Sequence, residues 1–334
     1  MMSIRTPVLL LVFNRPDFTR MAIDALSRVR PPRLYIAADG PRPAREADVE
    51  LCRAVRECLE SIPWPCEVFR LYSDTNLGSK RRVSSAITWF FEHEAEGIIL
   101  EDDCHPGDTF FQFCGELLNR YREDERVMLI SGDRGLQRDA PIDRSYYFSK
   151  YSLTWGWATW RRAWRHYDVH LATWEEFKSS GRLRRKCFDD RECAYWITKV
   201  ERALSGDLDA WDYQWMITCW MQGGLAVIPR CNLVKNVGFR DDATHTKDKL
   251  LGDYSYDASP LAFPLNHPDT VGPERRLELK LWADKFRPAP LWKRIRRKLI
   301  RAGVVFYGKV ESSFPASSRV NATYPVPGAS TTRP

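Results

Sequence analysis

The sequence predicts an α/β protein built on a mixed, mainly parallel sheet flanked by helices. Three observations carry that expectation. Between Val8 and Leu100, short apolar runs alternate four times with segments of helical period, the pattern of a parallel sheet with helices on its faces. The run Ile98-Ile99-Leu100 is continuous aliphatic sequence, as a strand buried on both faces requires. The runs end in polar residues, Asn14-Arg15, Asp39-Gly40 and Glu101-Asp102-Asp103, which is where an open α/β sheet keeps its ligand crevice.

Taken in order, the first strand covers Val8–Phe13 and stops at Asn14-Arg15-Pro16. A helix follows with Phe18, Met21, Ala22, Ala25 and Leu26 on its apolar face. The second strand, Arg33–Ala38, ends at Asp39-Gly40-Pro41. A helix over Asp48–Glu60 is broken by Pro63-Trp64-Pro65, and the third strand is Cys66–Tyr72. The glycine-containing loop Asn76-Leu77-Gly78-Ser79-Lys80-Arg81 opens a helix through Phe91. After the fourth strand and its acids, Pro106-Gly107 turns the chain into a helix with Phe110, Phe111, Phe113, Leu117 and Leu118 at helical spacing. Val127–Ser131 is the next strand.

Beyond it the pattern changes. Tyr146–Ser149 reads as a strand, Trp155–Trp160 as an aromatic segment with a glycine, and Arg161–His166 as a short basic helix. Trp174–Ser205 carries helical periodicity. Asp209–Trp215 opens an apolar helix through Met221, stopped by Gly223-Gly224, and Leu225–Ile228 is one more strand. Asn236–Thr246 reads as a polar loop.

Composition bounds the function. At 44% hydrophobic and 28% charged, the chain has an ordinary globular composition. A net charge of +7 suits anionic partners such as nucleotide diphosphates or an anionic membrane surface, and no nucleic-acid partner is expected. Nine scattered cysteines without a C-x-x-C pair read as reduced thiols of a cytoplasmic protein. The apolar run at Val8 is too short to span a membrane and is followed by no small-residue cleavage site, so no signal peptide is expected.

The chemistry centres on Glu101-Asp102-Asp103. By themselves three acids after a strand make a solvated turn. At a strand end facing a crevice they repel one another unless a cation sits among them, and oxygen ligands suit Mg²⁺ or Mn²⁺ shared with a substrate diphosphate. Asn14, Arg15 and Asp39 are candidates for gripping a nucleotide, and Lys80 and Arg81 for adding charge near phosphates. Asp212, between Trp211 and Tyr213, is either a general base or an acid favoured by a helix N-terminus. Trp155, Trp157 and Trp211 are candidates for a sugar platform, with a core role as the alternative.

These stretches resemble a known family. Val8–Pro16, Ala38-Asp39-Gly40, the Glu101-Asp102-Asp103 motif with its Phe-rich helix, Leu153-Thr154-Trp155-Gly156-Trp157 and Ala210-Trp211-Asp212 are similar to GT-A glycosyltransferases. The likeness is to the N-acetylglucosaminyltransferase I type and to bacterial hemolysin-like sugar transferases, and it covers about residues 6 to 246. It implies a GT-A (Rossmann-like) catalytic domain over 6–246, with a nucleotide-sugar-binding half (6–135) and an acceptor-binding half (136–246). Asp103 would be the ligand of Mn²⁺ or Mg²⁺, Asp102 would lie near the ribose and Glu101 near the donor sugar. Arg15 and Asp39 would contact the nucleotide, and Asp212 would be the base of an inverting transfer from a UDP-sugar to a glycan or lipid-linked acceptor. Gly238 and His245 would belong to a segment that orders over the donor. The eukaryotic members carry a membrane anchor and a stem, neither of which is expected here.

Two rivals remain at this point. A sugar nucleotidyltransferase would carry a glycine-rich loop after its first strand, where this chain has Asn14-Arg15-Pro16. A non-enzymatic membrane-surface protein would rely on the C-terminal extension (247–312), in which 291–307 form a basic amphipathic helix. That helix lies either at the inner face of an anionic membrane or packed on the core. The tail 313–334, rich in Ser, Pro and Thr, reads as disordered.

Overall fold

A computed structural model describes residues 4–136, 140–238 and 257–288. His245, the basic segment 291–307 and the tail 313–334 lie outside the described residues. The chain first lays down β1 (Val8–Val12), α1 (Pro16–Val29), β2 (Arg33–Ala38), α2 (Ala47–Cys58), β3 (Glu67–Tyr72), α3 (Gly78–His93) and β4 (Glu96–Glu101). The short β5 (Cys104–Pro106), α4 (Phe110–Arg120), β6 (Val127–Ser131), β7 (Tyr146–Ser149) and β8 (Trp157–Trp160) follow. Helices α5 (Arg161–Trp164), α6 (Trp174–Ser179), α7 (Arg182–Lys186), α8 (Asp190–Ser205) and α9 (Asp212–Met221) lead to β9 (Leu225–Pro229) and β10 (Val234–Asn236). Last comes α10 (Arg275–Leu281), which runs into a π-helical turn over Trp282–Phe286.

Eight strands form one sheet in the order β3-β2-β1-β4-β8-β6-β9-β7. β8 pairs antiparallel with both β4 and β6, and β7 antiparallel with β9. The remaining pairs are parallel, so the sheet is mixed and mainly parallel, as the sequence predicts. β5 and β10 form a separate two-stranded ribbon.

The alternation of side chains along β1 divides the interior into two cores. Val8, Leu10 and Val12 point into one with Ala22 and Leu26 of α1, Val55 of α2, and Phe110, Phe113 and Leu117 of α4. Leu9 and Leu11 point into the other with Ile87 and Phe90 of α3, Trp157 of β8 and the tryptophans of α5, α8 and α9. Val8, Leu9 and Leu10 are fully buried, and each such side chain contributes about 1.5–3 kcal/mol.

Three segments gain definition. The helical periodicity of Trp174–Ser205 resolves into three helices. Gly181 breaks it in the left-handed region at φ 71°, and the Asp189 carboxylate caps α8 by accepting from the Glu192 amide at 2.8 Å. The aromatic segment ends in a strand, β8, at the centre of the sheet. Residues 257–287, which the sequence reading places within the extension 247–312, bring Leu277, Leu281 and Trp282 into the aromatic core. All nine cysteines are unpaired. No helix among the described residues is long and apolar enough to cross a membrane.

Candidate active site

β1 and β4 are adjacent and parallel, with Leu11 opposite Glu101, so Arg15 and the three acids leave the sheet at the same edge. Pro16 occupies the first turn of α1, where its missing N–H costs nothing, and holds Arg15 at the N-cap position. Arg15 closes across to β4. One guanidinium nitrogen donates to Asp102 Oδ1, and the other donates to Asp103 Oδ2 at 3.0 Å. Burial disfavours the arginine's charge, but the field of Asp102 and Asp103 more than offsets this and holds it protonated.

The acids differ in environment. Asp102 is 1% exposed, and its amide donates to Leu11 O at 3.0 Å. Its Oδ2 is buried without a hydrogen-bond partner. Desolvation raises the Asp102 carboxyl above the ordinary range, against the pull of Arg15. Glu101 is also raised, first by desolvation and then by Asp103, with further contributions from Asp102 and Asp212.

The loop after β10 is tied to the same acids. Asn236 pairs with Cys104, and the Val237 amide donates to Asp103 O at 2.9 Å. The Gly238 amide donates to Asn236 Oδ1 at 2.8 Å. A Cβ on Gly238 would lie 2.3 Å from Asp103 Oδ2, so the backbone approaches the carboxylate as closely as only glycine allows.

The structure therefore brings Arg15, Glu101, Asp102, Asp103 and Gly238 together, and Asp212 stands at the start of α9, its charge adding to the rise of Glu101. Other predicted residues are engaged elsewhere. Asn14 donates to Asp48 Oδ1 at 2.9 Å, and Arg42 forks onto the same carboxylate. Asp39 accepts from the amides of Gly40 and Leu77, both at 2.9 Å, from Gly78 at 3.1 Å and from Asn76 Nδ2 at 3.0 Å. It thus ties the end of β2 to the start of α3. Desolvation raises its carboxyl, and those amides and buried Arg82 oppose the rise. Lys80 Nζ donates to Ala203 O at 2.6 Å, and Arg81 is exposed.

The sugar platform needs correction in two of its members. Trp157 and Trp211 are 1% and 4% exposed and stack on each other at 5.6 Å, which leaves no ring face for a sugar. Their buried area stabilises the core instead. Trp155 is half-buried, with Lys285 Nζ 4.3 Å from its ring centroid. Sequence reasoning missed Asp48 and Asp209, whose partners Asn14, Ser79 and Lys80 are distant in the chain, and Arg42, which pairs with Asp48 six residues on.

Among the described residues, no group of three or more His, Cys, Asp or Glu side chains is arranged to hold a metal ion. A hard cation with one or two protein carboxylates, completed by diphosphate oxygens, needs no such group. The donor set fits it: all the candidate donors are carboxylate oxygens, and Asp102 presents a buried oxygen with no hydrogen-bond partner.

No family model matches the chain, and no curated protein matches it in sequence. Three solved structures are similar to parts of it. HddC from Yersinia pseudotuberculosis shares 10% identity, with 37% of this chain and 56% of that one covered, at a TM-score of 0.26. A UDP-glucose pyrophosphorylase solved with UDP-glucose shares 7% identity, with 45% and 64% covered, at 0.25. The 4-diphosphocytidyl-2C-methyl-D-erythritol synthase from Anaerococcus prevotii shares 10%, with 58% and 84% covered, at 0.25. The chain thus spans 56% and 64% of the first two. Overlaps of this extent assign neither family nor chemistry.

Proposed function

We propose that this chain is a metal-dependent, inverting glycosyltransferase of the GT-A kind, moving a sugar from a UDP-sugar to a glycan or lipid-linked acceptor. The observation that carries the reading is the meeting, at the ends of two adjacent parallel strands, of three consecutive acids, one of them buried, with the guanidinium of Arg15. Residues 6–135 would form the donor half and 136–246 the acceptor half, and β8 threads one into the sheet of the other.

Asp103 and Asp102 Oδ2 would hold Mg²⁺ or Mn²⁺, which when bound would neutralise the charge developing on the leaving diphosphate. Arg15 supplies a second, fixed positive charge at the same edge, oriented for a planar oxyanion. Glu101, the next acid along, is placed to hydrogen-bond a hydroxyl of the donor sugar. Asp212 removes the proton from the acceptor hydroxyl and keeps it on a carboxylate oxygen as the new bond forms. The partly buried setting strengthens each of these interactions relative to water.

The test is a thermal-shift screen of nucleotide-sugars with Mn²⁺, followed by calorimetry of UDP on the wild type and Asp103→Ala. Mn²⁺-dependent UDP binding that Asp103→Ala abolishes supports the reading. UDP affinity unchanged by that substitution removes its central claim.

A further inference from the structure

The α3 N-terminus is closed by two carboxylates, one from the end of β2 and one from the connection between α8 and α9. Asp39 takes the amides of Leu77 and Gly78. Asp209 takes those of Ser79 at 2.8 Å and Lys80 at 2.9 Å. Four leading donors of a helix are normally left without intrahelical partners, and here all four are used. Gly78 is required twice over. Its φ is +78°, and a Cβ there would lie 2.7 Å from Asp209 Oδ2.

Asp209 differs from an ordinary cap in where it comes from. It sits outside the helix it caps, 129 and 130 residues from its partners, and three residues before Asp212. A second tie lies beside it, Lys80 Nζ to Ala203 O at the end of α8. On its other side the segment is anchored by Trp211, which stacks on Trp157 and whose carbonyl accepts from Tyr167 OH at 3.3 Å. The three residues leading into α9 are therefore held at both ends, by α3 on one side and by the aromatic core on the other.

We infer that Asp209 is a positioning residue: by docking the α8–α9 connection onto the α3 N-terminus, it fixes where Asp212 stands relative to the strand ends that carry Asp39 and Glu101. The inference rests on the proposed role of Asp212, but its geometric half does not. The negative charge of Asp209 is favoured at a helix N-terminus, so the link is charge-assisted and also tightens α3. Anions other than Asp209 find these amides already engaged, which sets the α3 N-terminus apart from a phosphate cradle.

The experiment compares wild type, Asp209→Ala, Asp209→Asn and Gly78→Ala by hydrogen exchange and by steady-state kinetics. A simple cap speeds exchange in residues 77–82 only. A positioning residue speeds it, by about tenfold for a lost cap, in both 77–82 and 210–216, and Asp209→Asn recovers part of the protection through its remaining carbonyl oxygen. In turnover, kcat falls about tenfold at saturating donor while the donor KM stays within about twofold, since the loss falls on a step after donor binding. Gly78→Ala, which displaces the carboxylate without removing it, gives the same pattern, and the double variant is less than additive. Exchange changes confined to 77–82, or an unchanged kcat in a wild type that turns over, overturn the inference. If the wild type turns over no nucleotide-sugar, the proposed function fails, and the exchange arm alone still decides whether Asp209 couples the two segments.

Discussion

Arg15 stands across Asp102 and Asp103 as their counter-ion, with Nη1 3.0 Å from Asp103 Oδ2. Asp102's side chain is 2% exposed, so its charge depends on that guanidinium. A cation proposed to bind Asp103 and the free Asp102 Oδ2 would share the Asp103 carboxylate with Arg15.

Arg15→Ala should destabilise the protein by about 3 kcal/mol, the low end for breaking a buried pair because Arg15 keeps part of its exposure. Denaturant titration measures this. Mn²⁺ should then raise the melting temperature of Arg15→Ala more than that of the wild type, since it replaces a missing positive charge. Equal shifts would show that the two cations do not share the site. Arg15→Lys should recover part of the stability but not the forked geometry.

Gly238→Ala places a Cβ 2.3 Å from Asp103 Oδ2, so the carboxylate or the loop must shift. Misplacement by about 1 Å costs about 10²-fold where positions are tightly set. Calorimetry should show Mn²⁺-dependent UDP binding weakened while the circular dichroism spectrum is unchanged. Binding equal to wild type would separate this loop from the metal end of the site.

Asp212→Asn keeps the size and much of the hydrogen bonding of the carboxylate but not its basicity. Turnover should fall by about 10²- to 10⁴-fold with donor affinity retained. Near-normal turnover at saturating acceptor would remove Asp212 from the mechanism. A product with retained anomeric configuration would remove the inverting scheme.

Asp48 provides the pH test away from the acids. Hydrogen bonds from Arg42, with help from Asn14, hold its carboxyl below the usual range. A depressed folded value contributes stability that is present above the unfolded value of 3.8 and is lost as pH falls through the folded value. Asp48→Asn should therefore lower stability at pH 7 and flatten its decline below about pH 4. Parallel wild-type and variant curves across that range would show that Asp48 titrates alike in both states.

What the sequence reveals follows from how local the cause is. β1, β2, β4 and α1 are legible because each is set by its own run of apolar residues. The meeting of Arg15 with Glu101-Asp102-Asp103 is legible because parallel strands end together. β8 is not, since its pairing with Ile98 and Ile130 joins residues far apart, and its aromatics fit a core, a platform or a strand equally. The engagement of Asn14 by Asp48 and of α3 by Asp209 is hidden for the same reason. One local signal was present and unread: Asp189 with Glu192 three residues on is a capping-box spacing, enough to divide the helical run before α8.

The central place of β8 has a consequence for how the chain is made. Until Trp157–Trp160 are synthesised, β4 has no neighbour on one side, and Glu96–Ile99 is an aliphatic edge with unpaired backbone. On a ribosome adding about 5–20 residues per second, the roughly 60 residues between the end of β4 and the end of β8 take about 3–12 s. Through that interval the nascent β1–β4 half presents an aggregation-prone template. The sheet closes only from its middle, by a late strand entering between two earlier ones, so its assembly is inherently non-local and slow.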